Sequence, residues 1–227
     1  MKTALLFDLD GTLVDSDAEH LIAFQRVFAP HGIELDRSEY AAHVMGASNA
    51  MIASRYLSHL SLVEQAATLD AKEAAYRDAL GEIEPILGAL ALLDFADRRG
   101  LERAVVTNAP RANAEKVLSA LGIARRLPIV VIGGELPRSK PDPLPYLTAL
   151  ERTRASAAHS LAFEDSLSGV RAAAAAGLSV VGMTTTLDSK TLIEAGATFA
   201  ASDFTDPRIF ELIEARLNSG ADEEANA

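Results

Sequence analysis

The 227-residue chain contains no cysteine, which excludes disulfides, thiolate catalysis and cysteine-ligated zinc. It is also poor in positive charge: 21 Lys and Arg stand against 32 Asp and Glu, a formal net charge of −11. Phosphate backbones are bound by clustered Lys and Arg, so nucleic acid is not the expected partner. A small phosphorylated metabolite stays compatible, because one or two placed cations and a metal suffice for it. No run approaches the roughly 18–20 consecutive apolar residues of a membrane span, so no membrane partner is expected. The first apolar run stops at Asp8, too short for the apolar segment of a signal peptide. A soluble, cytoplasmic protein is the expectation. There is no internal repeat, and the alanine run over 172–176 reads simply as strong helix propensity.

What is present describes a globule with ample core: 49% of residues are apolar and 23% charged. The length admits one large domain or a core carrying an insert. Short runs rich in Val, Ile, Leu and Ala at 3–7, 103–107, 129–132, 160–163, 179–182 and 198–201 read as strands. Helical patterns follow them, among them 110–121, opened by Pro110 and closed by Gly122, and 167–176, closed by Gly177. Near-continuous apolar strands alternating with helices predict an α/β fold with a Rossmann-like parallel sheet covered on both faces. One interval breaks the alternation: 19–29, 37–44, 49–59 and 62–80 are helical, with no convincing strand between. The expected organisation is a core of 1–15 and 84–218, re-entered through a helix over 86–99, and an inserted helical cap of 16–83. The small, acidic stretch 219–227 is expected to fray.

The first apolar run ends in two acids one residue apart, Asp8 and Asp10, followed by Gly11-Thr12. Within a strand they would point to one side. Like charges so close raise each other's cost of ionisation unless a cation intervenes. The pair suits a carboxylate nucleophile beside a carboxylate acid/base, with a divalent metal. In open α/β sheets ligands sit at the carboxyl ends of the strands. Those ends carry Thr107-Asn108 and Glu164-Asp165-Ser166, and Lys140 lies in the proline-stiffened loop Ser139-Lys140-Pro141-Asp142-Pro143. Taken singly, each has a bland reading: a helix cap, a turn pair, a solvated loop charge. Their arrival on one sheet edge argues for a site. Asp15 and Ser16 are expected to cap the first cap helix, Asp142 the helix through 146–150, and Glu164-Asp165-Ser166 the helix starting at Leu167 while also binding metal.

Four segments carry a family resemblance: Phe7-Asp-Leu-Asp-Gly-Thr-Leu-Val-Asp-Ser16, Val106-Thr-Asn108, Lys140-Pro-Asp-Pro143 and Phe163-Glu-Asp-Ser-Leu-Ser-Gly-Val170. Together they resemble, in order, the signatures of capped haloacid dehalogenase superfamily phosphohydrolases. The similar branch holds sugar-phosphate phosphatases, phosphoglycolate phosphatases and β-phosphoglucomutase. The resemblance implies that Asp8 attacks phosphorus to give an aspartyl-phosphate, and that Asp10 serves as acid and then base. It implies Mg²⁺ held by Asp8, the main chain at Asp10, Asp165 and the phosphate. Backbone N–H groups at Gly11, the polar groups of Thr107 and Asn108, and the Lys140 ammonium would then meet the phosphoryl oxygens. Glu164 is either a further ligand or an orienter of the others.

In the cap, His20 matches a position where β-phosphoglucomutase-like proteins carry His, and Met45-Gly46-Ala47-Ser48-Asn49 resembles the substrate-specificity loop, with Ser48 or Asn49 as donor. His31, His43 and His59 read as surface residues. The expected activity is hydrolysis of a small phosphomonoester by a monomer or weak dimer. A phosphomutase is the rival, against which Thr12 weighs because the mutase has a bulkier apolar residue there. A dehalogenase is disfavoured because it lacks the second Asp. A phosphoaccepting receiver domain is disfavoured by the helical insert, Asp10 and the length. An idle binder is disfavoured because no active-set residue is missing.

Overall fold

The structure is a computed structural model and describes residues 2–225. Six strands form one parallel sheet: β1 (Ala4–Phe7), β2 (Glu102–Thr107), β3 (Ile129–Ile132), β4 (Leu161–Glu164), β5 (Ser179–Met183) and β6 (Phe199–Ala201). Their order is β3-β2-β1-β4-β5-β6, so the direction of winding reverses beside β1. A crevice opens at such a reversal, on the carboxyl side of the strands. All six runs read from the sequence are strands, displaced by one residue at some ends.

The alternation of side chains along each strand explains the two covered faces. Leu5, Phe7, Val105, Leu161, Phe163 and Val181 point to one face, where α5 (Ala89–Arg99), α6 (Arg111–Ala120) and α10 (Pro207–Ala225) pack. Ala4, Leu6, Ala104, Val106, Ala162 and Val180 point to the other, under α7 (Leu144–Thr153), α8 (Leu167–Ala175) and α9 (Ser189–Ala195). Phe7 and Phe163 stack at 4.9 Å between ring centroids, with Phe204 edge-on at 6.0 Å from Phe7. Each such fully buried ring contributes about 1.5–3 kcal/mol. This packing anchors the two strands whose ends carry the acids.

Between β1 and β2 lie α1 (Asp17–Phe28), α2 (Arg37–His43), α3 (Asn49–Tyr56) and α4 (Leu62–Ala79). They share an apolar cluster of their own, with Phe24, Phe28, Tyr40, Ile52, Leu57 and Leu69 buried together. Tyr76 of α4 and Ala23 of α1 instead join the core cluster and bind the insert at its foot. The chain re-enters the core where Pro85 bridges Val14 and Ile86 N–H donates to Leu13 O at 2.9 Å. Only from Ala89 is this segment helical, because Gly88, at φ +82°, stands as its N-cap.

Two end-cap expectations are corrected and a third is narrowed. Ser16 occupies the N-cap position of α1, but its hydroxyl makes no cap bond and donates to Asp10 instead; Asp15 is exposed. Asp142 stands one residue before the N-cap of α7, Pro143, and accepts from Leu144 N–H at 2.9 Å. Within Glu164-Asp165-Ser166 only Ser166 caps α8, accepting from Gly169 N–H at 3.1 Å. The helix α10 also takes in most of the expected frayed stretch, through Ala225; 226–227 lie outside the described residues. No helix among the described residues is long and apolar enough to cross a membrane.

Candidate active site

One cavity lies between the carboxyl edge of the sheet and the inserted helices, and Asp8, Asp10, His20, Thr107, Asn108 and Lys140 all line it. The sequence reasoning placed Asp8 and Asp10 on one side of a strand, but β1 ends at Phe7 and the repeat stops there. The two carboxylates share the cavity and have different partners. Asp8 faces the core and accepts from Lys140 Nζ at 2.7 Å, while Asp10 faces the insert, accepting from Ser16 Oγ at 2.6 Å and lying 3.3 Å from His20 Nε2. Tyr76 reaches the same Asp10 oxygen at 3.4 Å and stacks on His20 at 3.8 Å between centroids.

Beneath Asp8 sits a buried acidic cluster. Ligand oxygens of Asp8, Glu164 and Asp165 lie within 4.8 Å of one another. Lys140 Nζ bridges Asp8 and Glu164, at 2.5 Å from the latter; Tyr146 O–H also donates to Glu164 at 2.5 Å, and Thr12 O–H to Asp165 at 3.2 Å. One ammonium thus faces three carboxylates. Burial pushes the Asp8 carboxyl up to about 7, Lys140 opposing and Glu164 and Asp10 reinforcing it. Burial, then Asp8 and Glu164, likewise push Asp165 well above the usual carboxylate range. Burial works against the charge of Lys140, yet Asp8 and Glu164 outweigh it and hold the lysine above its ordinary value. An all-oxygen, anion-rich cluster short of positive charge fits a hard divalent cation. Asp10 goes the other way: burial raises it, but the charge and hydrogen bond of His20, the Ser16 hydroxyl and the charge of Lys72 bring it down to about 2.

Two glycines set the spacing. Gly11, at φ +74°, was expected to offer its N–H to a ligand, but that N–H donates to Val14 O at 2.7 Å. Its lack of a side chain is what matters, since a Cβ there would stand 2.1 Å from Asp165 Oδ2. A Cβ on Gly46, at φ +68°, would stand 2.4 Å from Ser166 Oγ. The insert loop therefore rests directly on the core, where Asn108 Nδ2 and Ser168 Oγ both donate to Gly46 O, at 2.9 and 2.7 Å.

The remaining expected residues divide. Thr107 Oγ1 accepts from Ala109 N–H at 3.0 Å, which leaves its proton for donation. The Asn108 amide is committed to loops: besides Gly46 it donates to Lys140 O at 3.2 Å and accepts from Lys140 N–H at 3.3 Å. Ser48 is not in the cavity; it is the N-cap of α3, accepting from Met51 N–H at 3.4 Å, and Asn49 lines the cavity in its place. His31 and His59 face each other at 6.4 Å between centroids, and His43 lies 3.8 Å from Glu39, all away from the site. Sequence reasoning missed Lys72 and Glu73 on α4, buried and lining the cavity, and Tyr146 under Glu164. A Lys-Glu pair on a charged helix carries no signal that separates it from a solvated face.

The comparisons agree with this geometry. The sequence profile described as haloacid dehalogenase-like hydrolase matches residues 5–183. The chain is 33% identical to validoxylamine A 7'-phosphate phosphatase of Streptomyces hygroscopicus subsp. limoneus, over 86% of this chain and 92% of that one. It is 29% identical to the phosphorylated carbohydrates phosphatase of Thermotoga maritima, over 86% and 91%. Among solved structures it resembles CbbY of Rhodobacter sphaeroides in complex with xylulose-(1,5)bisphosphate, at 30% identity, TM-score 0.78, and coverage of 91% and 96%. With a profile match over most of its length and a relative at 33% identity across nearly the whole of both chains, the chain belongs to the haloacid dehalogenase-like hydrolases.

Proposed function

We propose that the protein is a Mg²⁺-dependent phosphatase of a small phosphorylated sugar, polyol or similar metabolite, working through an aspartyl-phosphate on Asp8. The observation that carries this reading is the contrast between two carboxylates in one cavity: Asp8 among core acids and Lys140, Asp10 among Ser16, His20 and Tyr76. In the first step an Asp8 oxygen attacks phosphorus, the bond to the leaving oxygen breaks, and that oxygen takes a proton from Asp10. In the second, Asp10 accepts a proton from water, the water oxygen attacks phosphorus, and the Asp8–phosphorus bond breaks to release phosphate. Asp10 rests ionised, which suits the second step. Approach of the phosphate anion raises its pKa, and the monoanionic form of the ester brings a proton with it. Asp8, Glu164 and Asp165 would hold Mg²⁺, which offsets the phosphate's charge and polarises its oxygens. Thr107 would donate to a phosphoryl oxygen, and Lys140 would keep Asp8 ionised and offset the equatorial charge.

The test is p-nitrophenyl phosphate turnover by the purified chain, with Mg²⁺ and with EDTA, alongside Asp8→Asn. Sustained, EDTA-sensitive phosphate release is expected from the wild type. The Asn variant should fall by about 10³-fold or more while remaining folded, as when a nucleophile is removed. Retained activity in that variant removes Asp8 from the nucleophile role. Isomer formation from a sugar phosphate without net phosphate release would favour the mutase.

A further inference from the structure

The phosphoryl group accounts for one end of the cavity, and the other must receive whatever the phosphate is esterified to. That second end is walled by the inserted helices: Phe24 and Ile52 present carbon, Asn49 an amide, and Lys72 and Glu73 the charge. Both charged residues are buried, at 3% and 4% exposure. The Lys72 ammonium is already engaged, 3.1 Å from Glu73 Oε2, 2.9 Å from His20 Nδ1 and 4.3 Å from the ring centroid of Phe24. Glu73 is held in place from both sides. Asn49 Nδ2 donates to its Oε1 at 3.0 Å and Asn113 Nδ2 to its Oε2 at 2.6 Å, while Arg77 donates to Asn113 Oδ1 at 2.8 Å.

The other basic residues lining the cavity are His20, set against Asp10, and Lys140, set against Asp8 and Glu164. No lysine there is surplus to its anions. A second anionic group on the substrate would leave water, find no free cation, and lie against the Glu73 carboxylate; buried charges without partners are strongly disfavoured. Hydroxyl groups meet no such obstacle. An ionised carboxylate has about four lone-pair sites and an ammonium three N–H donors. Glu73 Oε1, the Asn49 carbonyl oxygen and the third Lys72 proton therefore remain for hydroxyls that both donate and accept.

We propose that Glu73 is a specificity-determining residue: it selects substrates whose non-transferred part is uncharged and hydroxyl-bearing, and rejects those carrying a second phosphate or a carboxylate. This rests on the phosphatase reading above and narrows it to monophosphates of neutral polyhydroxylated compounds.

The test measures kcat/KM of the full chain with Mg²⁺ on hexose, pentose and hexitol monophosphates, on fructose 1,6-bisphosphate and on 2-phosphoglycolate. p-Nitrophenyl phosphate reports the phosphoryl half alone. The best monophosphate should exceed both esters that carry a second anionic group by at least about tenfold, the discrimination expected when a buried group is left mispaired. Glu73→Gln removes the charge at constant size and should narrow that preference by about tenfold, chiefly by improving the bisphosphate. Asn49→Lys adds a cation at the same end, should narrow it likewise, and decides the matter if the first variant does not fold. A wild type that hydrolyses p-nitrophenyl phosphate yet prefers the bisphosphate or phosphoglycolate, or accepts no hydroxylated monoester, overturns the Glu73 assignment and leaves the phosphatase reading intact. A preference unchanged in the folded variants does the same. No turnover of any ester, p-nitrophenyl phosphate included, overturns both.

Discussion

Asp10 illustrates how much a single side chain's chemistry depends on its neighbours. Two residues on from Asp8, it is held at about 2 by His20, Ser16 and Lys72 against the effect of burial, whereas Asp8 rises to about 7. In the proposed mechanism a group so depressed would give up its proton readily in the first step and would need its pKa raised by the bound phosphate to take one from water in the second. Asp10→Ala should therefore slow turnover by about 10²–10⁴-fold, the usual range for a lost acid/base, while phosphoenzyme accumulates because its hydrolysis has lost its base. Acid-quenched mass spectrometry of the variant, mixed with substrate and Mg²⁺, reads the added phosphate on the Asp8 peptide. An unmodified peptide together with slowed turnover would place the loss in the first step instead.

The short elements around the site show why the connections carry as much of it as the strands. The loop of the insert ahead of α3 touches the core through Gly46, whose carbonyl receives Asn108 and Ser168. Its φ of +68° and the 2.4 Å that would separate a Cβ there from Ser166 Oγ leave no room for a methyl group. Gly46→Ala should hold that loop off the core. KM should rise about tenfold with a smaller loss of kcat, because uniform binding is lost more than transition-state contact. Steady-state kinetics on the best substrate checks this, and an unchanged KM would show that the seat of the loop is immaterial to binding. Ser166 anchors the other side: as N-cap of α8, buried at 2% exposure, its replacement by Ala should cost about 1 kcal/mol of stability in urea unfolding.

Across the whole molecule, the two apolar faces of the sheet hold β1 and β4 rigid, and that rigidity keeps three carboxylates together that would otherwise repel. The cost has a sign that can be measured. Asp8 titrates at about 7 when folded against an ordinary 3.8, so between those values the folded chain keeps a proton that the unfolded chain has released. Metal-free stability should therefore fall as pH rises across that interval. A divalent ion held at Asp8, as proposed, would compete with that proton and bind only the folded state. The gain in melting temperature on adding Mg²⁺ should thus be larger at about pH 8 than at about pH 5. Differential scanning fluorimetry with Mg²⁺ and with EDTA measures it; a gain equal at both pH values would mean that the ion is not held at Asp8.

The strands, the helical insert and the four polar signature segments were all legible in the chain, because each is a local signal: an apolar run, a helical period, a polar residue ending a strand. The side-chain partnerships were not. Ser16 reads as a helix cap and proves to serve Asp10; Gly11 reads as a donor and proves to make room for Asp165; Ser48 reads as a substrate contact and proves to cap α3. Lys72 and Glu73 read as solvated helix charge until α4 is laid against α1 and α6 and buries them beside His20 and Asn113. Local pattern specifies where a strand ends and what chemistry it carries there, since it depends on neighbours along the chain. Which oxygen meets which proton depends on groups dozens of residues away, and only packing brings those together.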